Sequence, residues 1–318
     1  MVSKKHHIKI FAGTSHEKLG QDIADILKIP YSQMQIKKFA SGEIYAKPEE
    51  SVRGCRVFII QTATHNVNEE LMELFIMLDS LKRSFAEHIH LVMPHFAYSR
   101  QDRVSLPREP ISAKVVAKLI SEAGADHLIT LNLHSAQEQG FFDFPMDNLS
   151  TDKLFAHYFN QKNLKNITVV SPDTGGAKQA KRLSDLLNAN LAIIHKARPA
   201  HNESIVTHVV GEVKNRTCIL FDDMIDTGGS VINAKKALEK NGANKDIYLA
   251  ATHPVFSLDA PEKLKEAKFK EVVVTNSIPV PPKKQFDSLK ILSIAPMLAK
   301  VIENIIEAKS VSSIWHNQ

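Results

Sequence analysis

The sequence is short of the features that announce many protein classes. Its two cysteines, Cys55 and Cys218, are too few for the usual zinc spacings. Each opens an apolar run, which marks both as small core residues rather than disulfide partners. No apolar run approaches the roughly 18 residues of a membrane span. Met1–His7 is polar and lacks the apolar core of a secretory leader. A cytoplasmic chain with no membrane partner is expected. Lys and Arg number 40 against 35 Asp and Glu, yet nowhere do five or six basic residues stand in a row. A nucleic-acid-binding face needs such concentration, so the excess suits small phosphate-bearing ligands and no nucleic acid is expected. The loops G-x-x-x-x-G-K-[ST], G-x-G-x-x-G and G-x-S-x-G are all absent. Any nucleotide must be held by loops of another kind.

What is present is an alternation of short apolar runs with segments of helical spacing. Ile8–Ala12, Val57–Ile60, Ile89–Met93, Leu128–Leu133, Ile167–Val170, Leu191–Ile194, Cys218–Phe221, Ile247–Ala251 and Glu271–Thr275 read as strands. His16–Lys28, Glu69–Leu81, Ile111–Ala123, Asp152–Asn160, Lys178–Leu187, Val231–Lys240, Pro261–Ala267 and Ile294–Ala308 read as helices. Buried strands separated by helices imply mostly parallel sheets flanked by helices, an α/β fold. A faint repeat runs through the chain: His90–His95 resembles Tyr248–His253, and Arg53–Gln61 resembles Lys214–Asp222. The repeat reflects either two related domains or chance likeness between buried strands. The first reading divides 318 residues into 1–149 and 150–318.

The most informative stretch is Ile219–Ser230. An apolar strand ends in two adjacent carboxylates, Asp222 and Asp223. A short loop, Met224-Ile225-Asp226-Thr227-Gly228-Gly229-Ser230, then leads into a helix. Such a joint offers free N–H groups and a positive helix end to a phosphate, and glycine lets the backbone approach it. The paired acids suit the hydroxyls of a sugar, or a metal ion, beside that phosphate. A phosphorylated ribose fits both halves. In the other copy of the repeat, Gln61-Thr62-Ala63-Thr64 stands where the acids would be. Only the second half keeps the loop.

The Asp222–Ser230 segment resembles the phosphoribosyl-diphosphate motif of phosphoribosyltransferases. Other segments narrow the likeness: Phe39-Ala40-Ser41-Gly42-Glu43, Tyr98–Arg103, Arg108–Lys114, Leu133-His134, Gln139–Phe142, Ser171–Lys178 and His195–Arg198. Together they resemble the ribose-phosphate pyrophosphokinase family over almost the whole chain. The resemblance implies two phosphoribosyltransferase-like domains. It also implies attack by the anomeric hydroxyl of ribose 5-phosphate on the β-phosphorus of ATP, with Mg2+ required. It assigns Asp222, Asp223, Asp226, Thr227, Gly228, Gly229 and Ser230 to ribose 5-phosphate. Phe39, Ser41, Glu43, Arg100, Gln101 and Asp102 fall to ATP, in the first domain. His134 and Asp173 match metal-binding positions. An imidazole is an unusual magnesium ligand, so His134 could instead act on a phosphate. Lys196 and Arg198 match the pair that stabilises charge on the transferred group. A homohexamer and control by phosphate or ADP are implied too.

Three departures from the family pattern bear on function. Ser41 stands where many relatives carry Asn or Asp. The loop Arg103-Val104-Ser105-Leu106-Pro107-Arg108 is less basic and stiffer than the usual one. Ser310, Ser312 and Trp315 lie in a tail that resembles a regulatory segment. The altered loop is the feature that favours a rival reading, a non-catalytic homologue that restrains an active synthetase. The intact Lys196, Arg198, His134, Asp173 and sugar loop oppose it. A phosphoribosyltransferase, or a ligand-sensing regulator of that fold, would have little use for the Phe39–Glu43 and Tyr98–Arg103 segments.

Overall fold

The computed structural model describes residues 7–197 and 206–315. Contacts divide the chain into two compact units. One comprises Met1–Leu149, Ser277–Pro279 and Ser293–Gln318; the other comprises Ser150–Asn276 and Val280–Leu292. The expected division ran the second domain unbroken to 318, whereas this grouping returns the C-terminal segment to the first unit.

The first unit holds a parallel sheet of β1 (Ile8–Ala12), β4 (Arg56–Ile60), β5 (His88–Val92), β6 (His127–Leu131) and β7 (Met146–Leu149), in that spatial order. A separate antiparallel ribbon, β2 (Met34–Lys38) with β3 (Ile44–Pro48), stands apart from it. Val57, Ile59 and Leu91 share a buried cluster with Leu74 and Leu78 of α2 (Val67–Arg83) and Val116 and Ile120 of α3 (Ser112–Ala123). The alternation follows from the pleat, which sends successive side chains to opposite faces. α1 (Glu17–Leu27) buries Leu19, Ile23 and Leu27 at helical spacing, while Ile26 is 48% exposed. α8 (Ala295–Ile306) packs on α1, which ties the C-terminal segment to this unit.

The second unit holds β8 (Ile167–Ser171), β9 (Asn190–Ala197), β10 (Val206–Val210), β11 (Thr217–Ile225), β12 (Tyr248–Pro254), β13 (Glu271–Thr275) and β14 (Leu289–Leu292). Their order is β10-β9-β8-β11-β12-β13-β14, parallel except for β10. β12 is buried at every position, as a strand covered on both faces must be. α4 (Asp152–Asn160) packs on α5 (Ala177–Leu186), and α6 (Gly229–Lys240) follows β11.

The repeat has a topological basis. β1, β4, β5, β6 and β7 have the same neighbours in their sheet as β8, β11, β12, β13 and β14 have in theirs. Chance likeness between strands would not reproduce four neighbour relations. The two copies differ in the hairpin that follows their first helix. β2–β3 leaves the sheet, whereas β9–β10 joins it beside β8. Only the second sheet therefore reverses its order, at β8 and β11. Ligands gather beyond the carboxyl ends of strands at such a reversal.

Both cysteines are free and buried, and burial pushes the Cys218 thiol up to about 11. Among the described residues no helix is long and apolar enough to cross a membrane.

Candidate functional site

β8 and β11 lie side by side and parallel, so the segments that leave their carboxyl ends meet in one crevice. β11 is longer than its apolar run. It pairs with β12 through Ile225, so Asp222 and Asp223 stand on the strand itself rather than beyond it. Burial pushes the Asp222 carboxyl well above the ordinary carboxylate range, and the charges of Asp223 and Asp173 push it the same way. Asp173, from the β8 side, thus faces the paired acids. The family resemblance assigns Asp173 to metal and Asp222 and Asp223 to sugar; the fold brings the charge of Asp173 to bear on the pair.

Asp173 is held firmly. Its Oδ1 accepts the N–H groups of Gly175 at 2.8 Å and Gly176 at 3.1 Å, just ahead of α5. The Ser171 hydroxyl donates to its main-chain carbonyl at 2.6 Å. A Cβ on Gly176 would come within 2.9 Å of Ser171 Oγ, so this turn has no room for a larger residue.

After Ile225 the chain turns through Asp226 and Thr227 into Gly228, whose φ of 78° is left-handed. α6 begins at Gly229 with no side-chain cap and no acid in its first turn. Its leading N–H groups and positive end have no capping side chain of their own, an arrangement suited to an anion. Thr227, Gly229 and Ser230 are exposed there, and Asp226 is half-buried.

The nucleotide candidates belong to the first unit. Phe39, Ser41 and Glu43 occupy the tip between β2 and β3, closed by Phe39 N–H to Glu43 O at 2.8 Å. Phe39 is 53% exposed, a ring without a burial role. The Ser41 hydroxyl donates to Glu43 Oε2 at 2.7 Å, so its proton serves a neighbour. Sequence reading found no strand here, because Met34–Lys38 and Ile44–Pro48 carry no apolar run. Arg100, Gln101 and Asp102 lie between β5 and α3, with Gln101 Oε1 accepting the Ser112 hydroxyl at 2.7 Å. In the following loop Glu109 accepts the N–H groups of Ser105 at 2.9 Å and Leu106 at 2.8 Å, which holds it folded. Val104 and Leu106 are 53% and 64% exposed. His134 follows β6 in the first unit, and Asp173 belongs to the second. Lys196 lies on β9 with its backbone opposite Thr207. Its side chain, all of Arg198 and the side chain of Trp315 lie outside the described residues. In the tail, Ser310 O accepts Asn304 Nδ2 at 2.8 Å and Ser310 Oγ accepts the Ser312 N–H at 3.2 Å.

The first unit shows what became of its own copy of the sugar corner. The Thr14 N–H and hydroxyl both donate to Glu73, each at 2.7 Å. Gln61 Nε2 also donates to Glu73, at 2.9 Å, and the Thr62 N–H donates to Ser15 Oγ at 3.0 Å. The Thr64 N–H and hydroxyl donate to Glu70. The loops after β1 and β4 therefore converge as those after β8 and β11 do, but two buried carboxylates of α2 fill the corner. A Cβ on Gly13 would meet Glu73 Oε1 at 2.6 Å.

A parallel sheet that reverses beside paired acids and an uncapped, glycine-bearing helix start is an α/β fold of phosphoribosyltransferase type with a corner suited to an anion. Comparison with known proteins agrees and goes further. The family model for the N-terminal domain of ribose phosphate pyrophosphokinase matches residues 8–124, and that for the phosphoribosyl synthetase-associated domain matches residues 198–316. The chain is 47% identical over 315 residues to the ribose-phosphate pyrophosphokinase of Bacillus caldolyticus, covering 99% of this chain and 100% of that protein. It is 45% identical over 309 residues to the enzyme of the same name in Bacillus subtilis (strain 168), with 97% of each covered. The phosphoribosylpyrophosphate synthetase structure from Mycobacterium smegmatis superposes with a TM-score of 0.89 at 42% identity, covering 95% of this chain and 99% of that one. The chain belongs to the ribose-phosphate pyrophosphokinase family.

Proposed function

We propose that the protein transfers the diphosphoryl group of ATP to the anomeric hydroxyl of ribose 5-phosphate, giving 5-phosphoribosyl 1-diphosphate and AMP. The observation that carries the assignment of the sugar site is the joint of β11 and α6: two acids beside a Gly228 turn and a helix start without a cap. Asp222 and Asp223 hold the ribose hydroxyls, and Asp226 to Ser230 wrap the 5-phosphate. Phe39 stacks on adenine while Ser41 and Glu43 read its edge, and Arg100, Gln101 and Asp102 hold the rest of the nucleotide.

In the reaction a bond forms between the sugar O1 and the β-phosphorus. The bond from that phosphorus to the oxygen bridging it to the α-phosphorus breaks, and AMP departs with the bridging oxygen. Catalysis is alignment plus neutralisation of charge. Lys196 and Arg198 supply cations to the transferred group, together worth several kcal/mol in such settings. The donor set suits a hard divalent cation. Among the described residues no three His, Cys, Asp or Glu side chains cluster closely enough to cage a metal ion by themselves, so the ion would rest on the phosphate oxygens and a few carboxylates, with Asp173 Oδ2 left over from the turn that engages Oδ1. When bound, magnesium supplies charge neutralisation to the phosphate oxygens. His134 serves a metal ion or a phosphate.

This reading places the enzyme in the cytoplasm as a homohexamer, with phosphate or ADP as effectors. The assay mixes protein, ATP, ribose 5-phosphate and magnesium and follows phosphorus resonances. AMP and a sugar diphosphate should appear together. ADP with a sugar monophosphate would replace diphosphoryl by simple phosphoryl transfer, and an unchanged spectrum would favour a regulatory homologue. Light scattering on a sizing column tests the hexamer.

A further inference from the structure

The sugar loop does not stand alone. β12 ends at Pro254, and the chain then continues alongside the end of β11 in the same direction. The Phe256 N–H donates to Ile225 O at 3.0 Å, and the Ser257 N–H donates to Asp226 O at 3.1 Å. These bonds fix the main chain just ahead of Thr227 and Gly228. The strap that makes them is strained: Phe256 has φ 46° and Leu258 φ 54°, both left-handed without being glycine. Such residues persist only where their surroundings over-determine them. One restraint is visible. The Lys284 ammonium, from the short 3₁₀ turn Pro282–Lys284, donates to Phe256 O at 2.6 Å. Phe256 itself is 1% exposed and belongs to the apolar core, so its ring is held by packing as its carbonyl is by Lys284.

We propose that Lys284 is a positioning residue for the sugar-phosphate loop. Its ammonium locks the left-handed carbonyl of Phe256, and the locked strap in turn fixes Ile225 and Asp226. The inference rests on the reading that Asp226–Ser230 binds the sugar phosphate. Lys284 does not touch substrate; it acts through four bonded groups. A charged donor on a main-chain carbonyl is among the stronger hydrogen bonds available, and its flexible stem lets it reach one that faces the wrong way for the ladder. Nothing in the run Pro281-Pro282-Lys283-Lys284-Gln285 signals this role, because its partner lies 28 residues earlier in the chain.

The test compares Lys284→Met, which keeps the stem and loses the charge, with Lys284→Arg. Deuterium uptake of peptides spanning 222–232 and 253–260 is measured on the unliganded full chain, and ribose 5-phosphate affinity by calorimetry without ATP. Lys284→Met should speed exchange at the Phe256 and Ser257 amides and weaken sugar binding about tenfold. It should leave the KM for ATP unchanged, and Lys284→Arg should restore much of the affinity. Unchanged exchange in Lys284→Met overturns the strap. Faster exchange with unchanged sugar affinity overturns the positioning role. Were the wild-type chain to bind no ribose 5-phosphate, the functional reading would fall and take the positioning role with it. The exchange experiment would still decide whether Lys284 holds the strap.

Discussion

Replacing Gly228 by alanine separates what the sugar loop needs conformationally from what it needs sterically. Gly228 has φ 78° and ψ −9°. An L-residue in that region costs roughly 1–2 kcal/mol, while the stiffer unfolded chain of the alanine variant returns roughly 0.4–1 kcal/mol. Space is not the difficulty. The new Cβ would meet Ile232 Cδ1 at 3.6 Å and Leu264 at 3.7 Å, ordinary contact distances. The net loss is therefore about 1 kcal/mol, or about 2–4 °C in melting temperature for a domain of this size. Because the same turn aims the first N–H groups of α6, ribose 5-phosphate should bind about tenfold more weakly, a loss of about 1.4 kcal/mol. Gly229→Ala is the control. Its φ is not left-handed, and the nearest neighbour of its Cβ is Thr227 Oγ1 at 3.9 Å. Alanine favours the helix, so the stability of that variant should hold or rise. Thermal melts without ligand and calorimetry with ribose 5-phosphate measure both quantities. Equal losses of stability in the two variants, or wild-type sugar affinity in Gly228→Ala, would refute the reasoning.

Four further outcomes follow. Asp222 has a folded-state pKa above its unfolded value, so its protonated form adds stability that is complete below the unfolded pKa and fades as pH rises through the folded one. Asp222→Asn should therefore gain on the wild type in denaturant melts as pH rises from acid to neutral without divalent cation, and a constant difference would contradict this. Lys196→Ala should cut kcat strongly while leaving both substrate affinities close to normal, since the charge it meets develops in the transition state; a binding loss at unchanged kcat would remove it from that role. Phe39→Ala should raise the KM for ATP about tenfold, as loss of base stacking would, with ribose 5-phosphate affinity unmoved; equal effects on both substrates would argue against an adenine platform. Leu258→Gly should stabilise the protein by roughly 0.5 kcal/mol, because the residue is 83% exposed and left-handed; a loss in urea titration would mean that its side chain packs on something.

The buried parallel strands were legible because each is a continuous apolar run, and the helices because their apolar residues recur at helical spacing. What escaped were strands with no such run. β2 and β3 form a half-buried ribbon whose apolar residues alternate with polar ones, β7 is Met-Asp-Asn-Leu, and β10 and β14 are flanking strands of the second sheet. The sugar loop could be read because it is contiguous. The acidic crevice could not, since Asp173 reaches it from β8, 49 residues before Asp222. The length of β11 was likewise hidden, because two carboxylates interrupt its apolar pattern while its pairing with β12 continues.

Glu70 and Glu73 carry a consequence for stoichiometry. They act as guests that never leave: tethered to α2, they present their oxygens to the loops at a local concentration that no dissolved anion can match. On the proposed reading the corner of the first unit accordingly offers no seat for a pentose ester, and the joint of β11 and α6 offers one. Flooding the protein with inorganic phosphate will not open the filled corner, so titration with ribose 5-phosphate should saturate at one equivalent per chain.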